Sequence, residues 1–450
     1  MAKGRLEQYL TDLSRGLERA RLTANQDLRL KQRPRRSYSM RQCARFLDVS
    51  YQYLTKFAAQ TPAFPEGAHQ GRERVFTAHE LMTIRILMAA SAKRPGDYLA
   101  WRAPLDPLPV ISFASQKGGT AKSLSAAHFA QYLSLNYGMR VGLMDADPQH
   151  TLTLYFAGEE SGGLPEADTP TLVDFAGLYP DGDSAYTENN GRTLDSFFAP
   201  TGYPGMRIVP AHSETSEGEI QIARLLRANP PGKRFYRYLR DAIDVWSGAN
   251  PPRTAPGDID LEHVQDALTE TLDVIVIDYQ PALTLFQLNN VIASTSLVIP
   301  QTMKGFDIAT LATFANGLLG MLQHILDHDR IEIGSGEHML LPTIVQRSNE
   351  QDLIQLQALM ENCPGEILPV FYTRSDAIAN AADVYQSAYE YEPDTRGKKK
   401  GIDRFIDNAD AVNDAIVARL WPGRERGHAD AWMAQMYAED TAAKDKGEGA

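Results

Sequence analysis

Residues 110 to 138, VISFASQKGGTAKSLSAAHFAQYLSLNYG, constrain the fold of this chain more than any other stretch. A β-rich run, VISFAS (110 to 115), passes through a glycine-containing loop into a helical pattern that closes at Gly138, a natural left-handed stop. The first turn of such a helix has backbone N–H groups without intrahelical partners, and their aligned dipoles make the loop an anion cradle. Glycines let the main chain approach the anion closely. The spacing departs from G-x-x-x-x-G-K-[ST]: Gln116 and Ala121 occupy the two glycine slots, the glycines stand at 118 and 119, and an additional lysine, Lys117, precedes them. The expected phosphate cradle is Gly118, Gly119, Thr120, Ala121, Lys122, Ser123 and Leu124. Lys122 supplies charge to the β- and γ-phosphates of a nucleotide, and Ser123 offers a hydroxyl to Mg²⁺.

Further apolar runs repeat the first. RVGLMDAD (140 to 147) ends in Asp145 and Asp147, and LDVIVIDYQPAL (272 to 283) carries Asp278 where its apolar stretch ends. MRIVPA (206 to 211), TSLVIPQT (295 to 302) and MLLPTIVQR (339 to 347) complete a set of short buried strands separated by helical patterns. The fold class this implies is α/β: a P-loop, doubly wound, mostly parallel sheet flanked by helices, with ligands at the carboxyl ends of the strands. Asp278 is placed to share Mg²⁺ with Ser123. Between about 157 and 262 the pattern weakens; GEESGGLPEADTP and SGANPPRTAPGD read as loops, and KRFYRYLRDAIDVW as a helix without a motif.

The N-terminal part differs in charge. Residues 1 to 105 hold 19 Lys and Arg against 9 Asp and Glu, a net of +10, while the remaining 345 residues carry a net of −22. A basic front on an acidic body points to nucleic acid at the front. Leu6, Leu10, Leu13 and Leu17, spaced four, three and four, predict a helix with a narrow apolar seam that needs a partner. A basic arm with Arg35 and Arg36 follows. The helix from Met40 to Leu47, the Asp48-Val49 turn, and a second helix capped by Ser50 form a helix-turn-helix pattern. A strand pair and a third helix behind it make a winged helix-turn-helix. Tyr51, Gln52, Thr55 and Lys56 would then face a major groove, with Arg72 and Arg74 on the wing near phosphates. Such charges on a small helical bundle also serve solubility alone. KRPGDYLAWRAPLDPLP (93 to 109) reads as a linker. The expected domains are 1 to 36 (dimerisation helix and basic arm), 37 to 105 (winged helix-turn-helix), 106 to 425 (nucleotide domain) and 426 to 450 (polar tail).

No run of about 18 apolar residues occurs, and the first twenty residues are too charged for a signal peptide. Cys43 and Cys363 lie far apart without metal-ligand spacing, which fits a reducing compartment. The expected location is cytoplasmic. MYAEDTAAKDKGEGA, at the end, is expected to be disordered and lacks the basic amphipathic character of a membrane anchor.

These residues resemble the ParA/MinD group of deviant-Walker P-loop ATPases. QKGGTAKS fits its loop motif x-K-G-G-x-x-K-[ST], LMDADPQHTLT (143 to 153) resembles its D-x-D-P-Q motif, and VIVIDYQPAL resembles its Walker B stretch. The motifs and flanking strands span about residues 108 to 390. With the N-terminal helix and winged helix-turn-helix, the pattern is most similar to large plasmid-partition ATPases of the RepA type from repABC replicons, to which TRSDAIANAADVYQSAYEY (373 to 391) and AVNDAIVARL (411 to 420) also bear a likeness. Ala121, Ser123 and Tyr279-Gln280 depart from the commoner residues of these motifs. The resemblance implies ATP and ADP with Mg²⁺ as ligands, and a homodimer in which Lys117 crosses to the partner's phosphates. It implies Lys117, Lys122 and Asp147 as catalytic residues, with Asp147 orienting the attacking water and Asp145 holding Mg²⁺ through water. It also implies nucleoid association, a centromere-binding ParB-like partner, autorepression, and non-specific DNA binding by Arg347, Arg374 and the RGKKKGIDR segment (396 to 404). Rival readings are a nucleotide-sensing transcription regulator and a MinD-like membrane-associated regulator, the latter disfavoured by the tail.

Overall fold

The computed structural model describes residues 5–30, 36–156, 169–178, 194–228, 234–327, 329, 333–383, 385–392 and 396–447. Two compact units emerge, Met1–Arg36 and Ser37–Ala450. The first is helix α1 (Arg5–Leu30), along which Leu6, Leu10, Leu13 and Leu17 stand exposed on one seam.

The second unit begins with strand β1 (Tyr38–Ser39) and helices α2 (Met40–Phe46) and α3 (Tyr51–Gln60). Ser39 and Ser50 cap the two helices by accepting from Gln42 N and Tyr53 N, and the turn between them places Asp48 at a positive φ of 54°. Strands β2 (Ala68–Gln70) and β3 (Glu73–Phe76) pair antiparallel, β1 adds to the other edge of β3, and helix α4 (Ala78–Ser91) follows from a Thr77/Glu80 capping box.

Strand β4 (Val110–Phe113) opens the large sheet, then α5 (Lys122–Tyr137), β5 (Val141–Ala146), α6 (Thr151–Phe156), α7 (Leu172–Phe175), β6 (Ala199–Pro200) and β7 (Met206–Val209). Helices α8 (Glu217–Ala228), α9 (Tyr238–Ala249) and α10 (Val264–Thr269) lead to β8 (Val274–Tyr279), α11 (Leu285–Ala293), β9 (Ser296–Thr302) and α12 (Asp307–Leu326). The chain continues through β10 (Met339–Thr343), α13 (Glu350–Asn362), α14 (Asp376–Ala382), α15 (Arg396–Leu420) and α16 (His428–Gly447). The seven strands lie in the order β10-β9-β4-β8-β5-β7-β6, all parallel except the β6–β7 edge pair. Val110, Ile111, Val274, Ile275, Val276 and Ile277 are fully buried or nearly so, as expected of central parallel strands covered on both faces. This is the doubly wound, mostly parallel α/β sheet expected from the sequence.

Two expectations need correction. The 93–109 segment is packed rather than a free linker: Leu99, Trp101 and Leu108 are buried, and the Arg140 guanidinium lies 4.0 Å from the centre of the Trp101 ring. The C-terminal segment is helical over His428–Gly447, because Trp432, Met433 and Met436 form an apolar face that packs against the core reached by α15. Residues 396 to 404 form the first turns of α15. Helix α12 is long and apolar enough to span a membrane by length and mean hydropathy, yet Phe314, Leu318 and Ile325 turn into the fold.

The helical N-terminal part of this unit and the sheet share one apolar core. Phe46, Leu47, Leu54 and Phe76 belong to the same buried cluster as Phe113, Phe129 and Leu133. Arg85 on α4 is fully buried there, and its guanidinium donates to the carbonyls of Phe46, Tyr98 and Leu135, so it ties the ends of α2 and α5 together. Burial pulls its pKa down to about 9.

Candidate functional site

The loop after β4 is shaped from within and from one neighbour. Ser115 Oγ donates to the Lys117 carbonyl at 3.1 Å and lies 3.0 Å from Thr120 Oγ1, while Thr343 Oγ1, at the end of β10, donates to the Thr120 carbonyl at 2.9 Å. Gly119 adopts φ 76° and Ala121 φ 59°, both left-handed. A Cβ added at Gly118 or Gly119 would meet nothing within 4 Å, so both face open space that a ligand can fill. The first helical bond runs from Ser125 N to the Ala121 carbonyl, which leaves the N–H groups of Lys122, Ser123 and Leu124 without intrahelical partners.

Lys122 is almost buried and donates to Asp278 Oδ1 at 2.6 Å, with Asp147 Oδ2 3.9 Å away. Asp278 and Asp145 are register partners at the ends of adjacent strands, and both are fully buried. Burial, then the charge of Asp278, pushes the Asp145 carboxyl well above the usual carboxylate range. Asp278 is also raised by burial, with Lys122 and the Ser123 hydroxyl working against it. The two oxygens of Asp145 are occupied: Oδ1 accepts from Asp147 N, and Oδ2 from Thr153 N and Thr153 Oγ1. Asp145 therefore shapes the turn that presents Asp147. Asp147 Oδ1 accepts from Gln149 N at 2.9 Å.

Asp278 Oδ2 is buried and has no hydrogen-bond partner. An orphaned carboxylate oxygen beside a Ser123 hydroxyl suits a hard divalent cation. Among the described residues no cluster of three His, Cys, Asp or Glu side chains could hold a metal by itself. Magnesium does not need one, because it keeps waters and takes substrate phosphate oxygens. With its own oxygens engaged, Asp145 fits a role through water.

The Lys117 ammonium donates to Oδ1 of Asp307, the first residue of α12, whose other oxygen accepts from the Thr302 hydroxyl and Lys304 N. Lys117 is 41% exposed and Asp307 1%. Burial pushes the Asp307 carboxyl up, but bonds from Lys117 and Thr302 outweigh it and leave the group below its ordinary range. Asp307, Thr343 and Thr153 are the site residues that sequence reasoning missed. Asp307 had a faint signal, an acid at the start of a helix directly after a strand; the threonines had none.

Of the expected DNA-contacting residues, Tyr51, Gln52, Thr55 and Lys56 are all exposed on α3, where only Leu54 of the first turns is buried. Arg72 is exposed in the β2–β3 turn. Arg74 is committed within the chain: it donates to the carbonyls of Glu66 and Pro65 and lies over Phe64 and Phe76. Arg36 is described as the last residue of the first unit, and Arg35 lies outside the described residues.

A strand ending in this lysine-bearing loop, with two carboxylates on neighbouring strand ends, defines a P-loop nucleotide-binding protein. Residues 111–416 match the model of the CobQ/CobB/MinD/ParA nucleotide-binding domain, and the chain belongs to that family. It is 26% identical over 391 residues to a protein designated replication protein A in Sinorhizobium fredii, covering 85% of each chain. It is 22% identical to plasmid partition protein A of Escherichia coli, over 69% of this chain and 68% of that one. A solved structure titled "Partition Protein" covers 87% of this chain and 98% of its own, with 17% identity and a TM-score of 0.53, a likeness of fold.

Proposed function

We propose that this chain is a DNA-partition ATPase that binds ATP with Mg²⁺, pairs with a second copy across the nucleotides, and hydrolyses ATP to ADP and phosphate. The observation that carries the reading is the arrangement of two lysines in one loop. Lys122 is buried on the Walker-type carboxylate Asp278, while Lys117, on the outer lip, is held by a carboxylate of the same chain. One lysine is positioned for its own nucleotide and the other is held in reserve. Bound magnesium would supply charge neutralisation between the β- and γ-phosphates; Ser123 and the free oxygen of Asp278 are the residues that would hold it, with Asp145 acting through water. The N–H groups of Gly118 to Leu124 receive the phosphates. Asp147, fixed by the turn that Asp145 braces, orients the attacking water.

The N-terminal elements take the DNA role in this reading. Helix α3 presents Tyr51, Gln52, Thr55 and Lys56 to a major groove with Arg72 on the wing, and Arg35 and Arg36 reach neighbouring phosphates. The exposed leucine seam of α1 fits pairing with the same helix of a second copy. Autorepression through an operator, nucleoid association and a ParB-like centromere-binding partner complete the proposal, which the family and the partition proteins among its relatives support. The test is ATP turnover with and without DNA in parent and Asp147→Ala protein. The variant is expected to bind ATP as the parent does and to lose about 10² to 10⁴ in turnover. Unchanged turnover would remove Asp147 from the mechanism.

A further inference from the structure

One threonine joins the Asp145 turn to an element that the proposed mechanism does not use. Thr153, on α6, is buried, and both its backbone N–H and its hydroxyl donate to Asp145 Oδ2 at 2.8 Å. The same hydroxyl accepts at 3.0 Å from the N–H of Ala211, just past the end of β7. A hydroxyl carries one proton, so an oxygen that accepts from Ala211 keeps that proton for the buried carboxylate. Ala211 leads directly into His212, whose Nδ1 accepts from Glu214 N and whose Nε2 therefore donates to the Thr169 carbonyl at 2.7 Å. That cap opens the 3-10 turn Ser213–Ser216, which runs straight into α8. On α8, Glu219 Oε1 accepts at 3.0 Å from Phe286 N in the first turn of α11, and Gly218 lies so near the Phe286 ring that an added Cβ would come within 2.9 Å of it. Helix α11 follows β8, the strand of Asp278, after one short loop. The segment from Ala211 to Glu219 thus closes a ring between the turn after Asp145 and the loop after Asp278, two residues that are already register partners.

We infer that Thr153 is a positioning residue for hydrolysis: its hydroxyl fixes the Asp145 turn to the Ala211–Glu219 segment, so that α8, bound to α11, sets where Asp147 stands relative to the nucleotide. The inference rests on the reading of Asp147 as the group that orients the attacking water. Asp145 accepts from three donors. The N–H groups of Asp147 and Thr153 hold it within its own stretch of chain, and the Thr153 hydroxyl is the donor that is itself tied to another element. Loss of that hydroxyl leaves the turn its local bonds but frees it from β7 and α8. A reacting group misplaced by about 1 Å loses on the order of 10² in rate, while the N–H groups of the loop still hold the phosphates.

Steady-state turnover of ATP with Mg²⁺ and the affinity for ADP are measured in the full chain. Thr153→Val keeps the shape of the side chain and removes the hydroxyl; Thr153→Ser keeps the hydroxyl. The valine variant is expected to lose about ten- to a hundredfold in kcat, with KM and ADP affinity within about twofold of the parent, and the serine variant to recover most of that loss. Added to Asp147→Ala, Thr153→Val should cost nothing further, because both changes act through the same carboxylate. Parent kcat in the valine variant overturns the inference. So does a loss that serine does not restore, or an equal loss in the Asp147→Ala background, since a packing defect lowers turnover whatever stands at 147. Glu219 tests the other end from a half-buried position outside the core. Glu219→Ala is expected to lower kcat about two- to fivefold, and Glu219→Gln, whose amide oxygen still accepts from Phe286 N, to match the parent. Parent turnover in Glu219→Ala overturns the part assigned to α8. A parent that turns over ATP and is indifferent to Asp147→Ala overturns the reading of Asp147 and this inference with it, an outcome distinct from the failure of Thr153 alone.

Discussion

Asp307→Asn isolates what holds Lys117 back. The substitution keeps an oxygen to accept from Thr302 and Lys304 N but removes the negative charge that fixes the lysine. In a face-to-face dimer two clusters of phosphate charge meet, and Lys117 is the cation on the lip of the loop that can cross between them. Before crossing, it must leave Asp307. A charge-assisted bond is worth about 1.5 to 3 kcal/mol, and the half-exposed lysine lowers that toward about 1 to 1.5. A symmetric dimer releases two such contacts, about 2 to 3 kcal/mol in total, so the variant should dimerise about 30- to 150-fold more tightly. Sedimentation velocity with non-hydrolysable ATP measures this in a chain lacking residues 1–36, since α1 is a unit by itself and its proposed pairing would otherwise mask the effect of nucleotide. Lys117→Ala should weaken the same dimer at least tenfold and should be indifferent to a second substitution at Asp307. An Asp307→Asn protein that dimerises no better than the parent refutes the reasoning, because the Lys117–Asp307 contact would then not oppose association.

Other substitutions probe the loop and the core. Ala121→Gly should stabilise the nucleotide-free chain by about 1 kcal/mol, read from the denaturant midpoint, since alanine at φ 59° carries a left-handed penalty that glycine does not. Lys122→Ala should weaken ATP binding and destabilise the chain by about 3 kcal/mol by leaving Asp278 buried without its counter-charge; adding Asp278→Asn should restore stability but not binding. His128 is fully buried, burial alone lowers its pKa to about 3, and its Nε2 accepts from Ala388 N. With an unfolded value of 6.5, the unfolded chain binds the extra proton, so this contribution is complete above pH 6.5 and is lost as pH falls toward 3. From pH 6.5 to pH 5 the loss is about 2 kcal/mol, and His128→Gln, which can still accept from Ala388 N, should show that much less acid sensitivity in paired denaturation curves.

The sheet and the loop were legible in the sequence for a local reason. Buried parallel strands read as unbroken apolar runs, and a phosphate cradle is built from consecutive residues. Asp145, Asp278 and Lys122 needed only the knowledge that strand ends converge. What escaped was non-local or conditional. The Lys117–Asp307 pair joins residues 190 positions apart. The C-terminal segment looked like a polar tail because the large side chains that pack inward, Trp432, Met433 and Met436, are few for twenty residues, and only the surface of α15 shows that they suffice. Arg74 read as a wing cation, yet two carbonyls and two aromatic rings already hold it.

The same non-local packing bears on how the proposed DNA-reading helix is aimed. Arg45 on α2 donates to Asp407 at 2.7 Å and to the buried Asp410 at 2.5 Å, both on α15, while Asp410 also accepts from Tyr389. Arg426, 3.1 Å from Asp48, holds the turn before α3. Arg85 ties α2 to the far end of α5, the helix whose first residue is Lys122. A hinge between α3 and the nucleotide loop would have to break a buried arginine's bonds and strand Asp410, and removal of one partner from such a buried pair costs about 3 to 5 kcal/mol. Helix α3 is therefore carried rigidly by the sheet within each copy. Under the proposed function, any change in the spacing of two such helices would have to come from how two copies meet, so the proposed nucleotide-dependent dimer, rather than a flexible link, would control the proposed operator recognition.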